Sequence, residues 1–153
     1  MLVDLRTDLQ AGAEFSEIVV ELSSDALPEA ALAEEAIVAR RPASMGDDYL
    51  ERPRRVADLI GLAPGSYHVR VSLLAREGGA PRVVIARRVL VDLRENLVVT
   101  VLVTRSCVGV VCPREGDEPT LTECLGGECV DPACSPETPE LCPPPCTTDA
   151  DCP

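Results

Sequence analysis

The placement of cysteine constrains this chain more than any other feature. All eight cysteines fall in the last 47 of its 153 residues, and residues 1–106 contain none. The stretch CLGGECVDPAC, Cys124 to Cys134, holds three of them. The same segment, residues 107–153, carries nine prolines and a charge of −9. Its large apolar residues number seven: Val108, Val110, Val111, Leu121, Leu125, Val130 and Leu141. Burying these few side chains cannot offset the backbone entropy of so long a segment, so a reduced chain of this composition stays disordered. Disulfides restrict the unfolded chain and stabilise by typically ~2–4 kcal/mol each. An even cysteine count in a core-poor segment reads as a disulfide framework. Residues 107–153 are therefore expected to form an oxidised, loop-rich module in the periplasm, at the cell surface or in the medium.

Eight cysteines allow about a hundred pairings. The spacing suggests two groups: Cys107, Cys112, Cys124 and Cys129, then Cys134, Cys142, Cys146 and Cys152. Gly126-Gly127 would turn a hairpin holding the first group. The N-terminal residues MLVDLRTDLQAG have neither a basic start nor an apolar core, so they are no signal peptide. The expectation is a chain whose export signal lies outside this sequence and whose cysteine module is cut short at Pro153.

Residues 1–106 have a different pattern. They hold 16 acidic and 13 basic residues, a charge of −3, and their apolar residues alternate. Val3, Leu5 and Leu9 oppose Asp4, Arg6 and Asp8. Ile18, Val20 and Leu22 oppose Glu17, Glu21 and Ser23. Tyr67, Val69, Val71 and Leu73 oppose His68, Arg70 and Ser72. RVVIARRVLVDL and LVVTVLVTR follow, bounded by REGGAP and REN. Period two, with turn signals every ~8–12 residues, predicts a mainly β antiparallel sandwich over residues 1–106. One segment dissents: Leu27–Arg41 is rich in helix formers, with Pro28 suited to a helix start, and reads as a short helix or inter-strand insertion. RPASMGDDYLERP after it reads as loop.

The segment LAPGSYHVRVSL, with Leu62, Pro64, Gly65, Tyr67, Val69 and Val71, resembles the L-x-P-G-x-Y-x-V-x-V signature. That signature occurs in Ig-like, prealbumin-like and carboxypeptidase-regulatory-like domains of bacterial surface proteins. The resemblance implies a turn at Pro64-Gly65 with glycine at positive φ. It also implies a core-facing strand from Tyr67, whose hydroxyl reaches backbone at the corner. The whole layout, sandwich then CLGGECVDPAC and CTTDADC, resembles the N-terminal parts of cysteine-rich secreted or lipid-anchored surface proteins of GC-rich Gram-negative bacteria. It implies a non-catalytic envelope or secreted module, stapled into a stalk, that meets an unknown protein or cell-surface partner.

Other chemistries find less footing. Zinc knuckles want short Cys-x(2–4)-Cys pairs, and only Cys142-x3-Cys146 fits. Asp149 and Asp151 lack the rest of a calcium loop and read as turn caps. His68 is the sole histidine and falls on the wet face of its strand. Glu34-Glu35 and Asp47-Asp48 are sequence neighbours whose side chains diverge. Neither a GxSxG elbow nor a phosphate loop occurs, so no enzyme and no cofactor is expected. The acidic tail and the three aromatic residues, Phe15, Tyr49 and Tyr67, argue against nucleic acid. The longest apolar run, Leu97–Val103, is strand-sized and gives no membrane span. The best rival from another class is a cysteine-rich protease inhibitor presenting Arg114 on the loop between Cys112 and Cys124.

Overall fold

The computed structural model describes residues 1–24 and 37–142. Two sheets face each other across one apolar core, as the alternation predicts. The smaller holds β4 (Arg54–Asp58), β1 (Leu2–Thr7) and β7 (Val98–Val103), in that order. The larger holds β3 (Ile37–Pro42), β2 (Glu17–Ser24), β5 (Gly65–Glu77) and β6 (Ala80–Leu93). A two-stranded hairpin, β8 (Glu123–Leu125) and β9 (Glu128–Val130), follows in the cysteine-rich part.

The inward residues of each strand build the core. Val3 and Leu5 of β1, Ile18 and Val20 of β2, Val69, Val71 and Leu73 of β5, and Val99, Val101 and Val103 of β7 are buried together. Phe15 and Tyr49 close the end near the β1–β2 loop, their ring centroids 6.0 Å apart. β5 and β6 form one long hairpin, turned by Gly78 and Gly79 at φ 60° and 89°, a conformation that glycine adopts without steric cost.

Three features depart from the sequence expectation. β1 pairs with β7 in parallel, from Leu2↔Val98 to Thr7↔Val103, so the sandwich is not antiparallel throughout. Parallel neighbours need a long crossover, and here the whole larger sheet lies between the two strands in sequence. The expected helix over Leu27–Arg41 is replaced at its end by β3, where Glu17↔Pro42 through Glu21↔Ile37 pair with β2. Ladder pairing overrides helix propensity there, and β-branched Ile37 and Val38 suit an extended strand. Residues 27–36 of that expectation, with Pro28, Glu34 and Glu35, lie outside the described residues. Finally, β4 carries no alternation: Val56 and Ala57 are adjacent and both buried.

At the corner from β4 to β5, Gly65 takes φ 156° and the Tyr67 hydroxyl donates to the Ala63 carbonyl at 2.8 Å. Tyr67 packs half-buried against the core.

Candidate functional site

The most developed arrangement of polar groups lies where the cysteine-rich segment meets the sandwich. β6 is the outer strand of the larger sheet and β7 an outer strand of the smaller one, so their free edges flank one long side of the sandwich. Such edges present unpaired amides and carbonyls. Residues 104–142 lie along this side and satisfy several of them.

The segment's own frame is covalent. Gly126 and Gly127, at φ 62° and 93°, form the two-residue turn between β8 and β9, where both positions need positive φ. Cys124 and Cys129 face each other across this hairpin. Cys124 bonds to Cys107 and Cys129 to Cys112, each pair 17 residues apart, so two rungs tie the hairpin to the 107–112 loop. Cys134 bonds to Cys142 and closes the loop ending in the 3-10 turn Pro139–Leu141. These pairs keep to the two groups that the spacing suggested. Cys146, Cys152, Asp149 and Asp151 lie outside the described residues.

Docking runs through both strand edges. Along β6, the Arg88 amide donates to Glu123 Oε2 at 2.8 Å and the Leu90 amide to the Pro132 carbonyl at 2.8 Å. Arg88 Nε adds a bond to Glu123 Oε1 at 3.2 Å. Along β7, the Thr100 amide donates to Glu137 Oε1 at 2.9 Å. Two carboxylates and a proline carbonyl thus stand in for the neighbouring strand. At the entry to the segment, Thr104 Oγ1 accepts the Gly126 amide at 3.0 Å. The Arg105 amide donates to Asp8 Oδ1 at 2.7 Å, and Arg105 pairs with Glu14. The Gln10 amide foremost, then Arg105, holds the Glu14 carboxyl below its usual range.

Arg87 binds these parts together. Its side chain occupies an inward position of β6, in phase with Ile85, Val89 and Val91, and the residue is 1% exposed. One Nη donates to the Leu102 carbonyl of β7 at 2.8 Å, and the other to the Cys134 carbonyl at 2.7 Å. A single guanidinium therefore joins both sheets and the disulfide module. Its Nε is buried without a partner among the described residues. Desolvation pushes its pKa down to about 10, while the negative charges of Glu123 and Glu137 act in the opposite direction. The sequence reading missed Arg87, Glu123 and Glu137, although an arginine in the apolar phase of RVVIARRVLVDL was a visible signal.

Other expected residues fall elsewhere. Residues 107–142 lie along the edge, where these hydrogen bonds hold them. Arg114 bonds to the Gly127 carbonyl and faces Glu128 at 3.7 Å, tied to its own module. The six described cysteines are all in disulfides, which leaves no thiolate among them for zinc. Among the described residues no group of three or more His, Cys, Asp or Glu is placed to hold a metal. Asp47 and Asp48 serve separate turns: Asp47 accepts the Ser44 amide and Arg54, and Asp48 accepts the Leu50 and Glu51 amides. His68 sits half-buried on β5 opposite Leu90 of β6 and Ser23 of β2.

The chain matches no protein-family model, no curated protein and no solved structure. Among the described residues no helix is long and apolar enough to cross a membrane.

Proposed function

We propose that this chain is a non-catalytic structural or interaction module of the cell envelope or of secreted material. In this reading it is an Ig-like sandwich whose cysteine-rich segment staples one long side shut. The observation that carries it is the replacement of strand pairing along β6 and β7 by Glu123, Pro132 and Glu137, on a frame held by three disulfides. A segment that depends on disulfides for its shape belongs where thiols are oxidised. The Tyr67 hydroxyl bond to a carbonyl four residues back, at a crossing between sheets, resembles a tyrosine corner and supports the Ig-like reading.

With the β6–β7 side occupied, the sandwich meets a protein or other surface partner through its opposite side. Among the described residues, no strand pairs with the outer edges of β3 and β4. Edge pairing by an extended partner segment is the recognition mode such strands support. The test is intact-mass analysis after alkylation of protein recovered from its natural compartment. Protected cysteines before reduction are expected. Eight alkylated thiols in native material would remove the oxidising compartment and this reading with it.

A further inference from the structure

A groove of about 480 Å³ lies at the end of the larger sheet where β2 begins, β3 ends and β5 ends. Its walls include Ser16, Glu17, Arg40, Arg41, Ser44 and Arg76. The three strand ends are fixed to one another: the Ser16 amide donates to the Leu74 carbonyl at 2.8 Å, and the Ala43 amide to the Ser16 carbonyl at 2.9 Å. The groove is thus built on ladder backbone rather than on a loop tip.

Its charge runs against that of the molecule. The chain carries −12, yet three arginines and a single glutamate are among the residues that line this groove. Glu17 engages one arm of Arg40 at 2.8 Å. Arg41 gives its Nε to the Val56 carbonyl at 2.7 Å, and no described residue accepts from its two Nη groups. Arg76 has no hydrogen bond or ion pair to any described residue. Ser16 is one of the groove residues, and its hydroxyl is buried with no hydrogen-bond partner among the described residues.

We propose that this groove binds a doubly charged tetrahedral anion, the phosphate group of a monoester. Three arginines against one glutamate leave two positive charges, which a dianion neutralises and a monocarboxylate does not. Guanidinium forks match tetrahedral oxyanions two oxygens at a time. Small-molecule sites have volumes of roughly 300–1,000 Å³, so a groove of this size takes the organic part of an ester beside its charged head. The site is independent of the β6–β7 closure.

The test is titration of the oxidised, full chain at low ionic strength, read by amide chemical shifts. The probes are inorganic phosphate, sulfate, a sugar phosphate and acetate, with vesicles of phosphatidic acid set against vesicles of phosphatidylcholine. Saturable shifts at Ser16, Glu17, Arg40 to Ser44 and Arg76 are expected with the dianions and not with acetate. A stronger response to the sugar phosphate marks a soluble ester as the source, and one confined to phosphatidic acid marks a lipid headgroup. Arg76→Ala removes an exposed side chain with no partner among the described residues, so the fold is retained; it should weaken binding about tenfold or more. Arg94→Ala, at the opposite end of the β5–β6 hairpin, should leave binding unchanged. Acetate binding as well as phosphate, no saturation with any dianion, or equal affinity of the two variants would overturn the proposal.

Discussion

A buried guanidinium stays charged at neutral pH and must find acceptors, and Arg87 finds two carbonyls that belong to different parts of the chain. Truncation leaves the Leu102 and Cys134 carbonyls with no donor from residue 87 and opens a void between the sheets. Arg87→Ala should therefore destabilise by about 3 kcal/mol in chemical denaturation of the oxidised protein. Arg87→Met keeps most of the volume and removes the buried charge, so its loss should be clearly smaller. The pH dependence separates charge from shape. The folded pKa of about 10 lies below the ordinary guanidinium range, so above pH 10 the unfolded chain binds more protons at this position than the native one. Stability contributed by Arg87 then rises with pH through that window, and below it is constant. The difference between wild type and Arg87→Met should stay flat from neutral pH to about 9.5 and move in favour of the wild type above. A difference that varies across the neutral range would mean that another group carries the coupling.

Pattern made the long elements visible and left the short ones hidden. β1, β6 and β7 each bury one face, and the inward residues of β2 and β5 also alternate although Val19 and Ser72 between them are buried too, so these strands could be read directly. β4 has five residues, with Val56 and Ala57 adjacent in the core, and nothing in RRVAD gives a period. β3 was masked by alanines and glutamates that favour helix locally, and only its ladder with β2 decides otherwise. The cysteine grouping and the Gly126-Gly127 turn were legible because covalent geometry and positive φ are local demands. The docking of the module was not, because Glu123 and Glu137 cap amides of strands 35 and 37 residues away and look like ordinary acidic residues in sequence. This predicts distinct hydrogen-exchange signatures. Glu123→Ala should strip the acceptor from the Arg88 amide, lower stability by about 1.5–3 kcal/mol and speed exchange there. Amides of β2 and β5 in the sheet interior should keep their protection. Unchanged exchange at Arg88 would show that Glu123 does not close this edge.

Taken whole, the molecule joins two parts that derive order from different sources. The sandwich relies on a shared apolar core, which of the described cysteines takes in Cys107 and, at its margin, Cys124. The module relies on loop closure: a disulfide spanning 17 residues contributes about 3 kcal/mol in the chain-entropy account, and one spanning 8 somewhat less. Reduction removes these contributions from the module and almost nothing from the core. The hydrogen bonds from Arg88, Leu90 and Thr100 to the module then lack a fixed partner, and the β6 and β7 edges open to water. Reduced protein should accordingly lose protection first at Arg88, Leu90 and Thr100, and proteolysis should trim residues 107–142 while leaving the sandwich. An exposed pair of edges also invites pairing between molecules, so self-association should rise on reduction and reverse on reoxidation. Sedimentation of oxidised and reduced samples checks the second point. Simultaneous loss of protection in β2, β5 and the module would instead show a single cooperative unit in which the disulfides hold the sandwich as well as its edge.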